Sequence, residues 1–190
     1  MFGQMLDLLV DAVASFFVFL LLARFLFQWL RVPFRNGLGE FIIATTNWMV
    51  IPARRVIPPL IGLDLASILL AWLIQAVAVW AHYELAGASF ASAPDIAAAI
   101  VAALSFVDLL RYAIYVLVFA LLVQAVLSWV NPYSPVMPVF DGMTRPFLRP
   151  IRRYVKPLGN VDLSPLILIV ALQILLIPLA HLRELAAALF

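Results

Sequence analysis

Cysteine is absent from this 190-residue chain. That excludes disulfides, thiolate metal sites and cysteine lipidation. Charge is scarce: 12% of residues are Asp, Glu, Lys or Arg, about half of what an ordinary soluble domain carries. Histidine is limited to His82 and His181. Neither belongs to a Glu-x-x-His or His-x-x-x-His pattern, so paired inward-facing ligands for a metal or haem are not expected. Each reads as an interfacial residue at the end of a span. Glycine-rich phosphate loops, nucleophile elbows and clustered carboxylates are also missing. The chain is therefore expected to be non-enzymatic and to hold no cofactor. Finally, no Lys or Arg precedes Arg24, while Asp7 and Asp11 do. This argues against a cleaved signal peptide.

What is present is apolar: 66% of the chain is hydrophobic. Ala12–Leu30 carries only Arg24, and Leu65–Ala81, Tyr112–Val130 and Leu163–Ala180 carry no charge. Each approaches the roughly 20 residues a helix needs to cross a hydrocarbon core of about 30 Å. Lipid offers no partner to backbone polar groups, so such runs close their hydrogen bonds as helices. The alternation of a β-barrel is absent. The predicted fold class is all-α: a polytopic membrane protein with spans near 5–30, 64–83, 96–130 and 162–182. The run Asp95–Val130 is long enough that it must protrude or break near Ser105–Asp108.

The chain is also duplicated. "IPARRVIPPLIGLDLAS" at Ile51–Ser67 aligns with "RPIRRYVKPLGNVDLSP" at Arg149–Pro165. Pro52, Arg54, Arg55, Asp64 and Leu65 fall opposite Pro150, Arg152, Arg153, Asp162 and Leu163 at an offset of 98. Upstream, Trp29 falls opposite Trp129 at an offset of 100, so the second loop is two residues shorter. The units run over 1–86 (loop 33–60) and 94–190 (loop 133–158), each a span, a polar loop and a span. An even number of crossings returns the chain to its starting side, which makes the repeats parallel, about a pseudo-twofold along the membrane normal. Ten of the twelve basic residues lie in or beside the two loops. The positive-inside rule then predicts cytoplasmic loops, with termini and central connection outside. The basic isoelectric point, near 9.3, thus reflects topology and not nucleic-acid binding.

The loops mix aromatic, aliphatic and basic residues, the composition of segments lying in the headgroup region. Asp141, Arg145, Arg149, Arg152 and Lys156 recur at helical spacing. Pro146 and Pro150 interrupt them, predicting short broken helices. Pro58–Pro59 and Pro157 close the segments. Asp64 and Asp162 are placed to N-cap the returning spans. Arg54, Arg55, Arg145, Arg149, Arg152, Arg153 and Lys156 are candidates for docking anionic headgroups or an acidic membrane or cytoplasmic protein. Attraction to lipid is worth about 1 kcal/mol per basic residue near the surface.

Polar groups inside the bilayer are costly and usually pair. Arg24 lies about 7 Å along the helix from Trp29, with Gln124 at its corresponding position. Gln75 and Gln173 correspond across the second and fourth spans, predicting symmetric interhelical hydrogen bonds. Asp11 corresponds to Arg111, predicting an Asp11–Arg111 bridge, with Asp108 as the competing partner one turn away. A homo-oligomer is compatible with such an arrangement.

The doubled pattern "FLFQWLRVPFRNGLGEFI…PARRVIPPLIGLDLAS" and "VLSWVNPYSPV…LRPIRRYVKPLGNVDLSP" resembles the YggT family of bacterial membrane proteins over almost the whole chain. The first copy departs from the tighter "DLSP" of the second by placing Ala66 before Ser67. The resemblance implies a two-repeat protein of the bacterial inner membrane linked to osmotic or envelope stress tolerance. Through chloroplast and cyanobacterial relatives it also implies assembly of a membrane cytochrome, with nucleoid or division phenotypes. The leading expectation is a scaffold or assembly factor. An ion or small-solute channel is the alternative, and a cytochrome maturation factor the second.

Overall fold

A computed structural model describes residues 2–58, 63–87, 94–155 and 162–187, the side chains of 186 and 187 excepted. Six helices follow one another: α1 (Phe2–Trp29), α2 (Gly37–Val56), α3 (Leu65–Leu85), α4 (Pro94–Val130), α5 (Met137–Tyr154) and α6 (Ser164–Ala187). By length and composition, α1, α3, α4 and the Ser164–Leu185 part of α6 can cross a membrane. No strand occurs among the described residues. Each repeat is thus a pair of long helices with a shorter helix between them.

The turn into α2 is specified locally. Arg31 adopts φ 55° after α1 ends, a left-handed conformation that stops helix propagation. Asn36 then caps α2, its Oδ1 accepting the Gly39 N–H at 2.8 Å. A Cβ at Gly39 would fall 2.8 Å from the Phe34 Cα and collide with the Phe34 carbonyl oxygen, so only glycine fits there.

Packing follows the repeats. The most extensive interface joins α1 to α3, and its counterpart joins α4 to α6. Small residues on α3 (Ala66, Ala71 and Ala78) are buried and allow close backbone approach. One core runs through α1–α5, with Leu21, Phe27, Ile42, Val50, Val116 and Val139 nearly inaccessible. A second joins Leu117 and Leu121 of α4 to Leu148 of α5 and Leu168 and Leu172 of α6. Phe19 and Phe119 (corresponding positions) meet edge to face at 5.6 Å, so the pseudo-twofold passes between α1 and α4. The symmetry is incomplete. α3 also packs on α4, whereas α1 and α6 share no comparable interface.

One expectation is corrected, and one choice between alternatives is decided. α5 is one continuous helix with Pro146 and Pro150 inside it, not a set of short broken pieces. Both prolines are exposed, where solvated surroundings can satisfy the carbonyls they leave unpaired. Meanwhile Val139, Phe140, Met143, Thr144 and Leu148 anchor the inner side. α2 likewise tolerates Pro52. α4 does not break near Ser105–Asp108: it is a single helix of 37 residues, about 55 Å long.

Candidate lipid- and partner-docking face

At the loop end of the first repeat, Arg24 of α1 is 5% exposed and turns towards α2. Its Nη1 donates to Thr46 Oγ1 at 2.7 Å and to Asn47 Oδ1 at 2.9 Å. Its Nε lies 3.5 Å from Asp64 Oδ2. Arg54, in the last turn of α2, grips the same carboxylate with two hydrogen bonds, Nε to Oδ1 at 3.1 Å and Nη2 to Oδ2 at 2.6 Å. This fork-on-carboxylate geometry is the strong form of the ion pair. Ser67 Oγ adds a third donor at 2.6 Å. Burial alone would raise the Asp64 pKa. The hydrogen bonds from Arg54 and Ser67 and the charges of Arg54 and Arg24 outweigh it and hold the carboxyl below its usual range.

The second repeat rebuilds the arrangement with different groups. Gln124 of α4 accepts from Thr144 Oγ1 at 2.6 Å and donates to Asp141 Oδ1 at 3.2 Å. Arg152 Nε reaches Asp162 Oδ2 at 2.9 Å. Asp162 Oδ1 accepts the Ser164 N–H at 2.9 Å, one of the unpaired donors at the start of α6. Here too burial is outweighed, by the Ser164 hydrogen bonds and by Arg152, and the carboxyl is held low.

Each dibasic pair therefore divides. Arg54 and Arg152 are tied to Asp64 and Asp162. Arg55 and Arg153 are exposed, as are Arg145 and Arg149, and these four make no ion pair among the described residues. On α5 the basic residues lie largely opposite the buried apolar side, the layout of an interfacial helix. Lys156, Pro59 and Pro157 lie outside the described residues.

Three other expectations are overturned. Asp64 occupies the N-cap position of α3, but its side chain makes no capping hydrogen bond, because Arg54 and Ser67 take up the carboxylate. Asp11 is exposed and forms no bridge to Arg111, which pairs with Asp108 at 3.0 Å one turn away. The side of α1 that meets α4 at this level carries Ser15, hydrogen-bonded to Tyr112 at 2.6 Å. Gln75 and Gln173 do not meet. Gln75 donates to Asp108 Oδ2 at 3.3 Å, whereas Gln173 is exposed, since only the first of these helices is covered on both flanks. Asp108 also receives Arg183 Nε at 3.0 Å, so three donors from α3, α4 and α6 converge on one buried carboxylate.

The sequence assigned no contact to Thr46, Thr144, Asn47, Ser67, Asp141 or Arg183. Thr46 and Thr144 were findable: they align at the same offset of 98 as the dibasic pairs. Arg183 carried no such signal, because its partner lies on another helix. Two surface grooves of about 410 and 480 Å³ are lined by apolar residues such as Trp72, Val77, Phe17 and Trp48. None of Arg24, Gln75 or Gln124 lines either. Among the described residues no cluster of three or more His, Asp or Glu side chains could hold a metal ion.

Four apolar spans, duplicated three-helix units and an arginine–aspartate tie at each loop define a multi-pass helical membrane protein with interfacial helices. The chain belongs to the CCB3/YggT family, which it matches over residues 4–83 and 103–182, one stretch per repeat. It is 33% identical to an uncharacterized protein of Pseudomonas aeruginosa, covering 88% of this chain and 84% of that one. It is 30% identical to the uncharacterized protein YggT of Escherichia coli K12, covering 90% and 86%. A Vibrio alginolyticus protein from the proC 3' region is also 30% identical, covering 88% and 89%. No solved structure matches the chain.

Proposed function

We propose that this protein is a non-enzymatic scaffold or assembly factor of the bacterial inner membrane. Its helices α2 and α5 lie at the cytoplasmic interface and engage anionic headgroups and an acidic protein partner. The observation that supports this reading is the division within the dibasic pairs. One arginine of each pair fixes the helix end, and the other is exposed, as are Arg145 and Arg149 of α5. Unpaired guanidiniums on an amphipathic helix suit carboxylate and phosphate oxygens, which they bind in a forked geometry. Family resemblance links the role to osmotic or envelope stress.

The test reverses Arg55, Arg145, Arg149 and Arg153 to Glu and leaves Arg54 and Arg152 intact. Insertion and melting temperature should be retained while cross-linked partners and stress tolerance are lost. Retention of both would overturn the docking reading. So would solute or K⁺ flux through proteoliposomes of the wild-type chain, since that would make it a transport protein.

A further inference from the structure

α6 is the least enclosed of the four spans: 11% of its most apolar window is buried, against 28–33% for the others. Between Ser164 and His181 its only polar side chain is Gln173, flanked on both sides by at least seven apolar residues. Gln173 is exposed and, with apolar sequence on both sides, too short to reach either interface. Its amide offers two donors and a carbonyl acceptor, and hydrocarbon satisfies none of them. The corresponding Gln75 has its partner across a helix interface, on Asp108 of α4. The corresponding face of α6 has none within the described residues.

The surroundings of Gln173 are patterned. Leu166, Val170, Gln173 and Ile177 follow the 4-3-4 spacing of a coiled-coil seam. Leu166, Val170 and Ile177 are 61%, 53% and 67% exposed, on the side of α6 facing away from Leu168 and Leu172, which pack on α4. A single polar residue within an apolar seam is the device that sets register between like helices.

We propose that α6 is a self-association surface, packing against α6 of a second copy of this chain. A twofold axis along the membrane normal would relate the copies, with Gln173 hydrogen-bonded to Gln173. The occupant follows from the chemistry. An amide is its own complement, donating and accepting at once. Copies inserted in the same orientation bring Gln173 to the same depth under any such axis. A twofold interface also requires a self-complementary patch, which a single seam centred on one amide provides.

Because the chain has no cysteine, single-cysteine variants report this directly. In native membranes, Ile177→Cys should form an oxidative homodimer, whereas Ile167→Cys, on the flank of α6, should not. In nanodiscs, Gln173→Leu should weaken dimerisation roughly five- to thirtyfold without lowering insertion or the monomer melting temperature. Gln173→Asn should restore most of it by keeping the amide. No Ile177→Cys dimer, or a dimer unchanged by Gln173→Leu, would overturn the proposal. Gln173-dependent cross-linking to a different membrane protein would overturn it as well.

Discussion

In α1 the side chain that reaches across to the interfacial helix is a guanidinium; in α4 it is an amide. Both meet a threonine, Thr46 or Thr144, whose hydroxyl oxygen also lies 2.7 or 2.9 Å from the carbonyl oxygen one turn earlier. The guanidinium has the additional task of facing Asp64. Arg24→Ala leaves the oxygens of Thr46 and Asn47 without their donor and removes one of two cations from Asp64. The expected loss is about 3 kcal/mol, read as a lower melting temperature in detergent. Arg24→Gln recreates the second repeat's pairing and should lose less than half as much. Asp64 carries its own pH signature. Its folded pKa is depressed, so its contribution is complete above the unfolded value of about 3.9 and fades as pH falls through the lower folded value. Melting temperature should be insensitive to this group between pH 7 and 5 and drop below about pH 4. Asp64→Asn should be less stable at pH 7 and converge with wild type in acid. At this scale the duplication marked Arg54 and Arg152 as equivalent, but as docking groups and not as the partners of Asp64 and Asp162. It was silent where a contact needed the neighbouring helix, as for Arg183 on Asp108.

The spans could be read directly, because burying an uncharged run of this length in lipid overrides finer propensities. The loops could not. Pro146 and Pro150 argue locally against a continuous helix, yet the buried stripe from Val139 to Leu148 holds α5 together across them. Helix interiors ordinarily penalise proline by about 3 kcal/mol, and here that cost is tolerated on the exposed side. Replacing both with Ala should therefore keep the helical signal in circular dichroism and raise the melting temperature. A fall in both would mean that the prolines shape a bend the docking face requires.

For the whole molecule, duplication was plain in the sequence and its packing was not. Aligned positions suggested symmetric pairs; Phe19 with Phe119, which the sequence had not singled out, is one. Gln75 and Gln173 are not, since α3 is sandwiched between α1 and α4 while α6 stands at the edge. Helical periodicity within one segment carries no information about which neighbour covers it. Orientation rests on charge and is directly testable in the cysteine-free background. Cysteine at Arg153 should react with a membrane-impermeant maleimide only after the inner membrane is opened. Cysteine at Asp95 should react in intact spheroplasts. The reverse pattern would invert the topology and move the proposed docking face outside.

The Arg54–Asp64 and Arg152–Asp162 ties each span ten positions of chain. In a secreted protein the job of closing so short a loop commonly falls to a disulfide, which also restricts the unfolded chain as no ion pair does. Here two ionic cross-links take it over. They need no oxidising compartment, form as soon as the helix ends come together, and open with acid instead of with reductant. The two places where the chain turns back are thus held by charge, and both would loosen together only in strong acid, below about pH 4.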